Sequence, residues 1–261
     1  MNYFRYPVLN TVRRTKKGEK KIAVVGAGRI GSWVVYYLVK RGYRLITSID
    51  GDRVTVDTVM KENETIYTHF DIGSYKVDAL ERKIMKKFPY TSFTKHRLNL
   101  NPGMPVSRLH EIFDDSVLIV WAADSRESLR MTEIPDLMLT RLSIASGMHA
   151  RQGGGFVIFW VPLISPCIKH SLGLESFEQF RPGRAQDANI DVRDVKAVVK
   201  STLYGVDFLL SFRLNHFLND IDIRRHNFIE VEKHGRFYKK NLLNQGRGRN
   251  CPLCGAFQTN N

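Results

Sequence analysis

The order of apolar and polar positions predicts alternating strands and helices early in the chain. IAVV (22–25) is a short apolar run rich in β-branched residues, which is typical of a buried parallel strand. SWVVYYLVKRG (32–42) has helical spacing, and Gly42 is well placed to end the helix. RLITSID (44–50) then predicts a second strand. This β–α–β pattern indicates an α/β fold of the Rossmann type, with a mostly parallel sheet.

Patterned segments continue through the rest of the chain. An apolar strand is predicted from residue 116, and FVIFWV (156–161) predicts another. The polar segment 175–194 is predicted to be a loop. Residues 192–218 have the spacing of a helix whose apolar face is either core or a dimer surface. FIEVEKHGRFYKK (228–240) alternates as a β-hairpin does.

Three glycines join the first predicted strand to the first helix in the order G-x-G-x-x-G. Gly26 permits a tight turn, Gly28 lets backbone N–H groups approach a phosphate, and Gly31 allows close packing of helix on strand. Asp50, at the end of the second strand, is placed to accept hydrogen bonds from a ribose hydroxyl. The sequence therefore predicts a nucleotide site, for which a nicotinamide-dependent dehydrogenase is one open interpretation.

The recognisable signals continue beyond the acid, where those of such a dehydrogenase normally stop. Asp50-x-Asp52-x-Val54 is followed by a polar stretch and then by Asp-Ile-Gly-x-x-Lys at 71–76. This series resembles the adenylating domain of ubiquitin-activating enzymes and of the sulfur-carrier adenylyltransferases of molybdopterin and thiamine synthesis. The resemblance implies that Asp50 binds the ribose of ATP and that Lys76 reaches its phosphates.

Two positions depart from the pattern of that family, in which Ser-Asn-x-x-Arg-Gln follows the Asp-x-Asp-x-Val strand end. Thr58 falls at the position of the Asn and Lys61 at that of the Arg, unless an insertion brings Asn63 into the Asn position. An ammonium group does not offer the two-pronged fork of a guanidinium. Lys61 is therefore the predicted phosphate contact, and it also motivates an alternative: a catalytically silent ATP- or nucleic-acid-binding partner subunit.

SVLIVWAADSRESLR (116–130) carries an acid just beyond a predicted strand, where open α/β sheets bind their ligands. The resemblance implies that Asp124 holds Mg²⁺ on the ATP phosphates, with Ser125 in place of the family's Asn. The family's arginine then corresponds to Arg126 or Arg130. A plain helix N-cap at Asp124 is compatible with the same pattern.

All three cysteines of the chain fall in two short knuckles. Cys167 and His170 form Cys-x-x-His, and Cys251 and Cys254 form Cys-x-x-Cys, which together supply the four ligands of a structural zinc site. The resembling family often carries Cys-x-x-Cys at both places, so His170 replaces one cysteine. Such a closed site would pin the C-terminal part and leave no cysteine for a thioester. Three free thiols are the alternative.

The composition fits one large α/β domain of 261 residues, or two small ones, in a reducing cytoplasm. The chain is 43% hydrophobic, has no run of about 18 apolar residues, and has too few cysteines for a disulfide framework. We divide this adenylating domain into a basic N-terminal segment (1–20), a nucleotide-binding core (21–165) and a zinc-linked C-terminal part (166–261).

The formal net charge of +14 favours anionic partners such as nucleic acid, although a plainly solvated surface is also compatible with it. Its basic residues concentrate at 13–21, 81–87 and 224–240. With the resemblance, the expected function is adenylation, with ATP, Mg²⁺ and Zn²⁺, of the C-terminal carboxylate of a ubiquitin-like or sulfur-carrier protein. A homodimer is expected, and activation of a modified tRNA nucleoside is the alternative reaction.

Overall fold

The computed structural model describes most of the chain between residues 15 and 253. The described residues are 15–60, 65–123, 125–148, 154–162, 165, 167–172, 174, 191–210, 228–231, 237–240, 251 and 253. Three of the predicted site residues, Lys61, Asp124 and Cys254, lie outside them.

A single eight-stranded sheet runs through the molecule. Its strands are β1 (Lys21–Val25), β2 (Leu45–Ile49), β3 (Ser92–His96), β4 (Ser116–Trp121), β5 (Leu142–Met148), β6 (Gly155–Trp160), β7 (Phe228–Val231) and β8 (Phe237–Lys240). The spatial order is β3-β2-β1-β4-β5-β6-β7-β8. The strands from β3 to β5 pair in parallel, whereas those from β5 to β8 pair antiparallel. The prediction of an α/β fold with a mostly parallel sheet is confirmed.

Helices connect the strands and cover the sheet. They are α1 (Gly31–Lys40), α2 (Val56–Val59), α3 (Lys76–Lys87), α4 (Val106–Ile112), α5 (Arg126–Arg130), α6 (Pro135–Met138), α7 (Ile168–Ser171) and α8 (Val192–Leu210). Short 3-10 turns occur at Lys17–Glu19, His69–Asp71 and Met131–Glu133. Within the described part of the chain, none of the helices combines the length and apolar character needed to cross a membrane.

Two helix ends lie where the sequence predicted them. Gly42 follows α1 with φ +93°, and the N–H groups of Gly42 and Tyr43 donate to the Val39 and Leu38 carbonyls, so glycine ends the helix as predicted. α8 begins at Val192, the first residue of the predicted helical stretch 192–218, so the predicted loop 175–194 extends three residues too far. Residues 211–218 of that stretch lie outside the described part of the chain. The Asp191 carboxylate accepts the Arg193 N–H at 2.7 Å and caps the N-terminal end of this helix.

Side chains of alternating strand positions build a separate core on each face of the sheet. Ile22 and Val24 point into a core formed with α1, α3 and α8, while Ala23 and Val25 point into one formed with α4 and α7. β1 lies between β2 and β4. The chain passes from β1 to β2 and β3 on one side, and then returns to β4 and β5 on the other side of β1. In open α/β sheets, ligands bind at the carboxyl ends of the strands where the strand order reverses in this way.

Candidate functional site

The glycine loop follows β1 and is packed too closely for side chains at two of its three glycines. Gly26 has φ +93°, and a Cβ atom there would lie 2.7 Å from the Ala123 backbone nitrogen. A Cβ on Gly31 would lie 1.9 Å from the Gly26 carbonyl oxygen. At Gly28 a Cβ would meet no atom within 4 Å, so the loop has open space above it. These are the roles expected of a turn, a close helix contact and a backbone open to a phosphate.

Asp50 directly follows β2 and fixes two segments of backbone. Its Oδ2 accepts the Ala27 N–H at 2.7 Å, and its Oδ1 accepts the Asp52 N–H at 2.8 Å. The residue is only 8% exposed. Burial raises the pKa of its carboxyl, against the lowering effects of the Lys76 charge and these two backbone hydrogen bonds. Each carboxylate oxygen keeps a second lone pair, so Asp50 can still accept a bond from a hydroxyl group.

Backbone hydrogen bonds between the segments 52–54 and 74–76 place Lys76 beside the Asp50–Asp52 turn. Its backbone N–H donates to the Asp52 carbonyl at 2.9 Å, and Val54 donates to the Ser74 carbonyl at 2.8 Å. The Lys76 ammonium then donates to Asp52 Oδ2 at 2.8 Å. Partial burial raises the pKa of Asp52, but the hydrogen bond and charge of Lys76 outweigh it, so the pKa lies below its ordinary value. Asp50, Asp52 and Lys76 thus form one connected group.

Tyr67 is a site residue that the sequence analysis missed. Its hydroxyl donates to the Ala27 carbonyl in the glycine loop at 2.6 Å and lies 3.2 Å from the Lys76 carbonyl. The side chain is buried, at 5% exposure. Burial and the negative charges of Asp50 and Asp71 raise its pKa well above the ordinary range, so the phenol stays protonated and keeps donating. A lone Tyr in a polar stretch gave no sequence signal for this contact.

Asn99 is a second residue without a sequence signal. It lies three positions beyond the end of β3, beside the Asp50–Asp52 turn. Its Oδ1 accepts the Gly51 N–H at 2.9 Å, and its Nδ2 lies 3.5 Å from Asp52 Oδ1. A Cβ on Gly51 would come within 2.8 Å of the Asn99 side chain, so the contact is close. Asn99 therefore holds the turn that carries both acids.

The carboxyl end of β4 adjoins the glycine loop. The Ala122 N–H donates to the Val25 carbonyl at 2.8 Å. A Cβ on Gly26 would strike backbone atoms of Ala122 and Ala123. Asp124 itself lies outside the described residues, so its predicted role stays a prediction. The helix cap is Ser125, whose Oγ accepts the Ser128 N–H at 3.1 Å. Arg126 and Arg130 are the first and last residues of α5.

A second cluster joins the two knuckles on the other face of the sheet. Cys167 Sγ lies 3.2 Å from His170 Nδ1 and 4.0 Å from Cys251 Sγ, and the three ligand atoms all fall within 4.8 Å of one another. Zinc bonds of about 2.3 Å to sulfur and about 2.0 Å to nitrogen imply tetrahedral ligand separations of about 3.5 to 3.8 Å. The donor set fits zinc. Cys254 is not among the described residues.

Comparisons with solved structures agree with this fold. The crystal structure of E. coli MccB with ATP superposes with a TM-score of 0.63 at 17% identity, covering 95% of this chain and 69% of that one. A structure of PaaA superposes with a TM-score of 0.59 at 16% identity, covering 90% of this chain and 66% of that one. At these identities the likeness concerns the fold.

Curated relatives match shorter stretches. tRNA threonylcarbamoyladenosine dehydratase 2 of Saccharomyces cerevisiae is 36% identical over 100 residues, 34% of this chain and 22% of that protein. Adenylyltransferase and sulfurtransferase uba4 of Aspergillus terreus is 26% identical over 119 residues, 46% of this chain and 23% of that protein. The matched stretch is thus about a fifth of each relative's length.

The family assignment rests on a longer match. The family model described as ThiF family matches residues 7–247, which include the glycine loop, Asp50, Lys76 and the first knuckle. The resemblance to the adenylating-domain family that the motifs indicated is confirmed. The chain belongs to the ThiF family.

Proposed function

We propose that the protein is an ATP-dependent adenylyltransferase that activates the C-terminal carboxylate of a ubiquitin-like or sulfur-carrier protein. The observation that supports it best is the linkage of Asp50 to the glycine loop and, through Asp52, to Lys76. A ribose acceptor, a phosphate-binding loop and a cation thus share one crevice. A nicotinamide dehydrogenase has no use for the lysine at this place, so adenylation is the better fit.

Each group has a distinct part in this reaction. Asp50 accepts a ribose hydroxyl, and the open backbone at Gly28 faces the phosphates. Lys76 exchanges Asp52 for phosphate oxygens as the triphosphate enters. Lys61 is proposed as a further phosphate contact. Mg²⁺ on Asp124 would supply additional positive charge to the phosphates, since hard divalent cations favour carboxylate oxygen.

The proposed substrate is a carboxylate at the end of a flexible glycine tail. Its oxygen forms a bond to the α-phosphorus of ATP while the bond to pyrophosphate breaks, giving an acyl-adenylate. Positioning and charge stabilisation suffice for this step, without a covalent protein intermediate. The name of the uba4 relative, an adenylyltransferase and sulfurtransferase, agrees with such chemistry. Cys167 and Cys251 sit together in the knuckle cluster, which supports a reaction that ends before a thioester.

Pyrophosphate exchange into ATP tests the proposal directly. We expect exchange that depends on a carrier protein with a free Gly-Gly carboxyl terminus. The matched control is the same carrier with its C-terminus amidated, which keeps every contact except the reacting oxygen. Equal exchange with both carriers would contradict carboxylate activation. ATP binding with no exchange for any carrier would instead favour the silent partner subunit.

A second candidate substrate is a modified tRNA nucleoside that bears a carboxylate. The matches to tRNA threonylcarbamoyladenosine dehydratases 1 and 2 of Saccharomyces cerevisiae, at 31% and 36% identity, favour it. Exchange stimulated by tRNA carrying the carboxylate, and not by tRNA lacking it, would support this substrate over the protein carrier.

The knuckle cluster is proposed to bind one structural Zn²⁺ through Cys167, His170, Cys251 and Cys254. Its three described ligands span 84 residues of chain, so the ion would tie the chain at Cys251 to the body of the fold at Cys167. Cysteines kept as thiolates for zinc suit a reducing compartment, and we place the protein in the cytoplasm on that ground.

We also propose that the protein forms a homodimer. Exposed apolar side chains occur between β2 and α3; they are Val56, Met60, Phe70 and Ile72. Phe70 is 99% exposed, which is unusual for a large apolar side chain unless a partner covers it. Sedimentation of the wild type and of Phe70→Ser tests this: a monomeric wild type would contradict the dimer.

A further inference from the structure

Basic residues from segments far apart in sequence lie together at the amino-terminal ends of the parallel strands. Lys21, Leu45 and Ser92 are register partners at the first positions of β1, β2 and β3. α1 and α3 run back across the sheet and end at Lys40 and Lys87, beside these strand starts. Described residues of the two predicted basic runs, Lys16 and Lys17 of 13–21 and Lys86 and Lys87 of 81–87, therefore lie at the end of the sheet opposite to the candidate nucleotide site.

This basic edge, as we call it, presents a group of exposed cationic side chains. They are Lys16, Lys17, Lys40, Arg41, Arg44, Lys86 and Lys87. Among the described residues, two carboxylates form ion pairs at this end of the sheet. Asp207 is shared by Lys17 and Arg41, and Asp114 lies at 4.0 Å from Lys21. Within the described part of the chain, no carboxylate lies within ion-pair distance of Lys40, Arg44, Lys86 or Lys87.

Tyrosine rings alternate with these cations. Cationic groups lie over four rings in the pairs Lys17–Tyr43, Lys40–Tyr37, Arg44–Tyr90 and Lys87–Tyr36, at 4.6, 5.9, 5.2 and 5.1 Å from the ring centroids. Two of the rings reach the surface, with Tyr37 36% and Tyr90 59% exposed. The contacts fix positive charges next to flat aromatic surfaces.

We infer that the basic edge binds RNA that contains unpaired nucleotides. Lysines and arginines without acid partners match a phosphate backbone, and exposed tyrosine rings offer surfaces on which bases stack. An acidic peptide would use the charges but not the rings. An anionic lipid surface would likewise attract the ammonium groups without any need for tyrosines held beside them. RNA uses both features of this surface.

The RNA site is separate from the adenylation site. A five-residue strand spans about 17 Å, so the two sites lie at least this far apart across the sheet. Binding of RNA at the basic edge therefore does not depend on the proposed adenylation.

Fluorescence anisotropy with a labelled single-stranded RNA of about 20 nucleotides, between about 50 and 200 mM salt, tests the inference. The triple variant Lys40→Gln, Lys86→Gln, Lys87→Gln should lose at least about tenfold in affinity. Its slope of log K against log salt should decrease by about 2, since each lost phosphate contact removes about 0.7. A matched triple variant elsewhere, Arg108→Gln, Arg193→Gln, Lys196→Gln, changes the net charge equally and should keep affinity and slope.

The aromatic part has its own test. Tyr90→Leu keeps an apolar side chain of similar bulk but removes the stacking surface. It should weaken binding of the single strand about fivefold or more, with an unchanged salt slope and unchanged binding of duplex RNA.

Three results would overturn the inference. The first is an equal loss of RNA binding in both triple variants, which would reduce the effect to net charge. The second is preferential binding of phosphatidylserine vesicles, and the third is binding of polyglutamate as tight as that of RNA. ATP affinity measured on the same variants should be unchanged, which separates this inference from the proposed function.

Discussion

The Tyr67 hydroxyl donates a 2.6 Å hydrogen bond to the carbonyl oxygen of Ala27, in the middle of the glycine loop. The contact spans forty residues of sequence and holds the loop against the segment that leads to Lys76. The loop conformation therefore depends on a side chain outside the glycine motif.

Tyr67→Phe should weaken ATP binding because it leaves the Ala27 carbonyl without this partner. We expect the Kd for ATP to rise about fivefold, equivalent to about 1 kcal/mol, together with a lower melting temperature. Calorimetry and thermal unfolding measure the two effects. Tyr43→Phe is the control, because it removes a hydroxyl that bonds to Asp207, far from the loop. If both variants bind ATP as the wild type does, Tyr67 has only a structural role.

Asn99→Ala should loosen the turn that carries the two acids. The Gly51 N–H loses its acceptor and Asp52 loses a neighbour, so we expect KM for ATP to increase about three- to tenfold with little change in kcat. The control Asn101→Ala removes a similar bond, from the Gly103 N–H, within its own loop. If both changes raised KM equally, the increase would come from general loosening of the loop and not from the contact of Asn99 with Gly51.

The fold and the centre of the site could be predicted because short-range patterns specify them. β1, the glycine turn, α1 and Asp50 follow one another along the chain, and each has its own residue preferences. Tyr67 and Asn99 could not be found in this way, since their partners are backbone atoms of distant segments. Backbone groups leave no mark in a sequence pattern.

The start of α8 was predictable from a short-range pattern as well. The helical spacing of 192–218 begins at Val192, where α8 begins, and the Asp191 carboxylate caps this end by accepting the Arg193 N–H. The overlapping loop prediction is wrong for residues 192–194, because a polar first turn suits a capped helix as well as a loop.

Loss of the Lys76 charge should affect the triphosphate and not the nucleoside. Lys76→Gln leaves the backbone bond to Asp52 in place and removes the ammonium that bonds to its carboxylate. We expect pyrophosphate exchange to fall about 100-fold or more, as when a donor to developing charge is removed. Adenosine affinity should stay the same. Lys95→Gln is the control, because Lys95 is a lysine of β3 that pairs with Asp78 and Glu81 of α3, the helix that begins at Lys76. Normal exchange by Lys76→Gln would remove the assignment.

ATP affinity should fall through protonation of Asp50 as the pH is lowered. Burial raises the pKa of this carboxyl above its ordinary value of 3.8, so the ionised acceptor is lost at a higher pH than for an exposed Asp. The affinity is full above the raised pKa and declines as the pH falls through it. Calorimetric titrations of the wild type and of Asp50→Asn from neutral to acidic pH isolate the protonation of Asp50. Protonation of ATP itself affects the two proteins equally, so it cancels in the comparison. Parallel pH profiles would show that Asp50 does not contact the nucleotide.

Removal of a zinc ligand should reduce stability before it affects nucleotide binding. Cys167 is buried on the face of the sheet opposite α1, and Cys251 reaches it from the C-terminal part of the chain. His170→Ala should therefore remove the zinc found by elemental analysis and lower the melting temperature, while ATP affinity stays within about twofold of the wild type. A structural ion has all its positions filled by protein and takes no part in chemistry. His110→Ala, at an exposed position of α4, should keep both the zinc and the melting temperature. Protein purified without chelator that contains no zinc would disprove the site, and unchanged zinc in His170→Ala would disprove the fourth ligand.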